Sequence, residues 1–249
     1  MIRTRLAVLI VLLVALSEAL GFVIAWPGRE VVRTNGGPAT IAPGDKPIID
    51  QYMATHEVRK LQVGAGPNNL PDWLNTDIEP RPGQVYVDAT QRLPFPDGSF
   101  RYVYAEQVIE HLTFPQGLGF MKECHRILAP GGRIRLATPN LLSIVHLFDA
   151  EKTPIQREFM DYEIKYYALS RIPTPEATTL NLMVRTWGHQ FLYDPKSLRA
   201  ALEGAGFTVT EYTEEKSDDP ALQGIEMHWN VGGHEIDQYT SQYVEGLRP

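Results

Sequence analysis

Short apolar runs of strand length recur along the chain, at Lys60–Val63, Trp73–Ile78, Val85–Val87, Tyr102–Tyr104, Arg133–Ala137 and Phe207–Glu211. Turn residues or stretches with helical spacing separate them. Ile48–Val58 reads as a helix leading into the first strand. Gln116–Leu128 sets Leu118, Met121, Cys124 or His125, and Leu128 along one face, with Pro130-Gly131-Gly132 as a stop. Asp194-Pro195 reads as an N-cap followed by proline at the first helical position; Leu198, Ala201, Leu202 and Ala205 then form an apolar stripe that Gly206 closes. Strands alternating with helices predict an α/β fold with a mostly parallel sheet and right-handed crossovers. The segment 141–187 breaks this rhythm and reads as an inserted helical cap, and the stretch around Met227-His228-Trp229 is expected to supply a final strand.

The N-terminus follows a different pattern. Residues 6–26, LAVLIVLLVALSEALGFVIAW, are apolar except at Ser17, Glu18 and Gly21, and are close to the ~20 residues a helix needs to cross hydrocarbon. A transmembrane anchor is expected after a short flank, 1–5. Arg3, Arg5 and Ser17-Glu18-Ala19 also fit a cleavable export signal, but the apolar run continues to Trp26 and favours retention. Glu18 costs about 2.5–3.5 kcal/mol near the bilayer centre, which a dozen aliphatic residues outweigh. Arg29 and Arg33 beyond the span nearly balance Arg3 and Arg5, so charge alone does not orient it. Residues 27–46, rich in Pro, Gly and small polar side chains, read as a linker, and 47–249 as the folded domain.

Composition narrows the function. The 249 residues carry 30 acidic and 23 basic side chains, a net charge of −7, which is a poor field for a phosphate backbone; no nucleic-acid partner is expected. The single cysteine, Cys124, excludes an internal disulfide and a multi-cysteine zinc site. His228 and His234 make no metal box, and no metal is expected.

In an open α/β sheet, ligands bind beyond the carboxyl ends of the strands. Here the first strand runs straight into Gly64-Ala65-Gly66, where glycine lets the backbone approach a ligand. Pro67-Asn68-Asn69-Leu70-Pro71 then replaces the third glycine and regular helix of a dinucleotide fingerprint, which disfavours a nicotinamide enzyme. Asp77 closes the second strand, where a carboxylate can accept hydrogen bonds from a ribose diol, and Asp88 follows the third strand in the same way.

These residues resemble a family. LQVGAGPNNLPDWLNTDIEP, VYVDATQRLPFPDGSFRYVYAEQVIEHL, ECHRILAPGGRIRLATPN and WGHQFLYDPKSLRAALEGAGF, in that order, are similar to the successive motifs of class I S-adenosylmethionine-dependent methyltransferases, closest to a bacterial branch associated with polysaccharide biosynthesis. The resemblance implies a Rossmann-like seven-stranded sheet with helices on both faces, and S-adenosyl-L-methionine as cofactor. It places Gly64, Ala65 and Gly66 against the methionine part, Asp77 at the ribose, Asp88 and Ala89 at the adenine, and Ala105 and Glu106 beside the amino-acid portion and reaction site. Gln107 stands where the family often has histidine, and Arg101 where it usually has aspartate.

A sulfonium methyl is already electrophilic, so the protein's main task is alignment, with a base needed where the acceptor must lose a proton. His111, His189 and Glu106 are the candidates for that role. Cys124 and His125, adjacent on a helix, point apart and make no nucleophilic pair. Tyr162, Tyr166 and Tyr167 read as cap packing. The expected activity is methyl transfer to a small or lipid-linked acceptor, such as a sugar hydroxyl in envelope polysaccharide synthesis. The alternative is a catalytically silent, cofactor-binding, membrane-tethered partner protein. Because the methyl donor is made in the cytosol, the catalytic domain is expected on the cytoplasmic face of the inner membrane, the alternative being export by a cleaved signal.

Overall fold

The structure is a computed structural model that describes residues 41–42, 44–167, 172–212, 216–228 and 232–249. The apolar segment 6–26 lies outside the described residues, among which no helix is long and apolar enough to cross a membrane.

Seven strands form one sheet: β1 (Lys60–Val63), β2 (Leu74–Asp77), β3 (Val85–Tyr86), β4 (Phe100–Glu106), β5 (Leu128–Pro139), β6 (Thr208–Tyr212) and β7 (Ser241–Leu247), in the order β3-β2-β1-β4-β5-β7-β6. The first five run parallel, and β7 lies antiparallel to both β5 and β6, so the sheet is mixed rather than simply parallel. The chain leaves β3 at one edge and returns as β4 on the other side of β1. The carboxyl ends of β1 and β4 therefore flank the topological switch point.

Local chemistry explains the helices. In α1 (Lys46–Thr55), Ile49 and Tyr52 are buried, and the Tyr52 hydroxyl accepts the Lys60 amide at 2.8 Å, tying the helix to the start of β1. α2 (Phe114–Ile127) opens with Pro115 in its first turn and a capping box between Thr113 and Gln116; it buries Phe120, Met121, Cys124 and Ile127 in the main core. α6 (Pro195–Gly204) starts as expected, with the Asp194 carboxylate accepting the Lys196 and Ser197 amides at 2.8 and 2.9 Å. Between β5 and α6 come α3 (Leu141–Val145), a 3-10 turn at His146–Phe148, α4 (Pro154–Tyr166) and α5 (Pro175–Arg185), which share a separate small core of Ile144, Leu147, Phe159, Met160 and Met183 with Ile236 of α7 (His234–Thr240).

Two expectations are corrected. Pro130-Gly131-Gly132 does not end a helix; β5 starts directly after α2, and these residues lie inside it where its pairing with β4 shifts register. The last strand is Ser241–Leu247, not the stretch around Met227. The Met227 and His228 amides donate to the Glu106 carboxylate instead of entering a ladder, and Trp229 lies outside the described residues.

Candidate functional site

The loop after β1 is built by its glycines. Gly64 and Gly66 sit at φ +71° and +52°, in the left-handed region that side chains disfavour. A Cβ on Gly64 would lie 2.3 Å from Val108 Cγ2, so this glycine admits the Val108 side chain, whereas a Cβ on Gly66 would meet nothing within 4 Å. The Ala65 amide donates to the Thr76 carbonyl at 2.9 Å, holding the loop against β2. Asp77 Oδ2 accepts the Gly66 amide and Oδ1 the Glu79 amide, both at 2.8 Å. Each oxygen keeps acceptor capacity, because an ionised carboxylate has about four lone-pair directions. Asp88 accepts the Thr90 amide and hydroxyl, forming an Asx turn beyond β3, with Ala89 half-buried beside it.

The neighbouring strand ends carry a second set of groups. Ala105 is buried at the end of β4, and the Glu106 carboxylate accepts the Met227 amide at 3.0 Å and the His228 amide at 2.9 Å. Burial raises the Glu106 pKa, partly opposed by these two amides. Glu106 thus anchors the 227–228 segment. There the His228 imidazole meets Asp237 of α7, Nδ1 to Oδ1 at 2.6 Å.

Glu110 follows in the 3-10 turn Ile109–His111 and is wholly buried. Thr138 Oγ1 donates to its Oε2 at 2.9 Å, while Oε1 accepts no hydrogen bond. Burial pushes its pKa up to about 7. His111 and His189, far apart in sequence, bring their rings to 5.0 Å in an edge-to-face arrangement. A turn makes this possible: Trp187 at φ +62° and Gly188 at +78° reverse the chain after α5, and the Gln190 amide then donates to the Glu110 carbonyl at 2.7 Å. Burial lowers the pKa of both histidines.

The structure therefore brings His111 and His189 together and gives Glu106 two backbone partners. Sequence reasoning did not single out Glu110 or Asp237, and it weighed His228 only as a metal ligand with His234 and as part of a strand. It also expected no metal, yet Glu110, His111 and His189 offer ligand atoms that all lie within 4.8 Å of one another. The tyrosines sort as packing groups: Tyr166 and Tyr167 contact Trp187 at 5.6 and 6.1 Å between ring centres. Cys124 is buried with its pKa raised by desolvation, an inert thiol.

Residues 61–136, from β1 into β5, match the family described as a methyltransferase domain. Over these residues the chain is similar to that family, and S-adenosylmethionine is the cofactor that goes with the match. Among solved structures, the chain is similar to a complex of the Haloferax volcanii Trm112 methyltransferase activator with a methyltransferase (14% identity, TM-score 0.46, covering 83% of this chain and 92% of that one). It is also similar to an S-adenosylmethionine-dependent methyltransferase from Mesorhizobium loti (16% identity, TM-score 0.44, covering 82% and 97%). Likeness at this level carries no functional weight. No curated protein matches the chain. The residues at the strand ends fit the cofactor: the face of Gly66 is open, Ala65 and Ala89 are small, and Asp77 has acceptor capacity left for hydroxyl donors.

Proposed function

We propose that this chain transfers the methyl group of S-adenosylmethionine to an oxygen of a small or lipid-linked acceptor, a sugar hydroxyl of envelope polysaccharide being the chemistry that suits it best. The observation that carries this reading is the convergence, at the ends of adjacent strands, of an open glycine loop backed by Asp77 and an imidazole–carboxylate pair, His228–Asp237, on the segment that Glu106 holds.

Bound there, the cofactor supplies an electrophilic methyl carbon. Asp77 would accept the ribose hydroxyls with its remaining lone pairs, while its bonds to the Gly66 and Glu79 amides keep the carboxylate fixed. Gly66 would let the backbone approach the cofactor, and Asp88 with Ala89 would border its adenine. On the acceptor side, His228 takes the hydroxyl proton at Nε2, since Nδ1 is committed to Asp237. Glu106 fixes the depth of this histidine through its backbone amide.

Residues 6–26 are proposed to tether the domain to the inner membrane with its site facing the cytoplasm, where the methyl donor is made. That tether makes a membrane-borne acceptor the natural substrate.

Calorimetry with S-adenosylhomocysteine is the direct test. Asp77→Ala is expected to weaken binding by roughly 1–3 kcal/mol, the range for hydrogen bonds to a charged group. An unchanged dissociation constant removes Asp77 from the site, and no binding at millimolar nucleoside overturns the enzyme reading. Labelled methyl transfer into envelope extracts tests turnover; binding without transfer identifies a silent cofactor-binding partner instead. A reporter fused after Pro249 and active on one side only reads the orientation.

A further inference from the structure

We infer that Glu110, His111 and His189 form a binding site for one divalent transition-metal cation. The ligand atoms lie within 4.8 Å of one another, with His111 Nε2 at 3.9 Å from Glu110 Oε1. Metal bonds of about 2.0–2.2 Å require ligand atoms roughly 3.3–3.5 Å apart in a tetrahedral arrangement, so modest side-chain rotation closes the site.

Independent features point to a ligand. Glu110 is fully buried, and its Oε1 accepts no hydrogen bond, an expensive arrangement for a carboxylate unless a cation serves it. The other oxygen is fixed by Thr138, which sets the orientation of the carboxylate. His189 Nδ1 sits 2.5 Å from the Met183 carbonyl oxygen. A carbonyl can only accept, so Nδ1 carries the proton and Nε2 keeps the lone pair a metal needs. The backbone is braced as well, with the Gln190 and Phe191 amides both donating to the Glu110 carbonyl at 2.7 and 3.2 Å. The two chain segments that supply the ligands are thus stitched together at the site.

The donor set decides the kind of ion. Two imidazoles and one carboxylate suit zinc, cobalt, iron or manganese, whereas magnesium and calcium prefer all-oxygen shells. The His111 side chain is 37% exposed, which gives the ion a way in and leaves a coordination position open to an oxygen donor from outside. The assignment does not depend on the methyl-transfer reading.

The test uses the full chain in detergent, stripped with chelator and titrated with Co2+ in the absence of nucleoside. One equivalent is expected to bind with visible d–d absorption, and Zn2+ should displace it. His111→Ala, at an exposed position, and Glu110→Gln, which keeps the buried shape, are each expected to lower affinity about tenfold or more. His146→Ala, in the exposed pair with Asp149, should leave it unchanged. Uptake of no cation by the wild-type chain, or wild-type affinity in His111→Ala, overturns the site.

Discussion

His228 Nδ1 lies 2.6 Å from Asp237 Oδ1, and the same aspartate accepts the hydroxyls of Ser241 at 3.1 Å and Tyr243 at 3.0 Å. The carboxylate is held from three sides and orients the imidazole in turn. Burial alone would lower the His228 pKa; the Asp237 hydrogen bond and the charges of Asp237, Glu106 and Glu110 outweigh it, and the net shift is upward. As a base His228 must be neutral, so the methyl-transfer rate is expected to rise with pH through an inflection above the ordinary histidine range. Asp237→Asn removes the raising influence. Its inflection should move to lower pH and its rate fall by about 100-fold or more, the scale of general-base catalysis. A pH–rate profile of both proteins checks this, and an unmoved inflection would take the pair out of the reaction.

The two glycines of the loop should respond differently to alanine. Gly64→Ala combines a left-handed backbone with a Cβ driven into Val108, and is expected to cost about 2–4 kcal/mol of stability. Adding Val108→Ala should recover the packing share. Gly66→Ala faces open space and should cost only about 1–2 kcal/mol of backbone strain, while weakening nucleoside binding because the new methyl enters the ligand's side of the loop. Thermal unfolding separates the first effect from the second, which calorimetry reads.

These contrasts also show what the sequence could reveal. β1, the glycine loop and β2 were legible because apolar runs end in residues with a specific backbone or hydrogen-bonding task. β7 was not: its Gln242 and Glu245 are polar yet buried, which is tolerable only because Gln242 donates to the Pro139 and Tyr193 carbonyls and Glu245 meets Arg133 and Arg135. Nothing local in Ser241–Leu247 announces those partners. The same holds for His189, which reaches His111 only through the left-handed turn at Trp187-Gly188, and for Asp237, which finds His228 by the packing of α7. Hydrophobic period reports faces, and these pairings depend on tertiary geometry.

Glu163, on α4, gives a stability prediction with a definite sign. Its side chain is buried, Oε2 accepts no hydrogen bond, and burial pushes its pKa up to about 7, only partly opposed by the charge of His228. The unfolded chain releases this proton near pH ~4.3. Between those values the folded state binds more protons than the unfolded state, so stability falls as pH rises from about 4.3 to about 7. Glu163→Gln should remove that decline. Urea midpoints across the range are expected to show the variant gaining on the wild type as the solution becomes alkaline and matching it in acid; parallel curves would contradict the assignment.

Arg135 links the fold to the site. Fully buried on β5, it donates to Glu226 and, at 2.9 Å, to Glu245, while its guanidinium lies 5.5 Å and 5.8 Å from the ring centres of Tyr212 and Tyr243. Arg135→Met strips this cation from two buried carboxylates and is expected to cost about 3–5 kcal/mol, since a buried charge without its partner is far more expensive than the pair. Adding Glu226→Gln and Glu245→Gln should return part of that loss. Denaturant unfolding measures both. The consequence reaches further, because Glu226 immediately precedes Met227 and His228, the residues whose amides Glu106 holds. Restoring stability with the triple variant while the pH–rate inflection stays displaced would show that the ion pair also sets the position of His228, whereas recovery of both together would confine its role to stability.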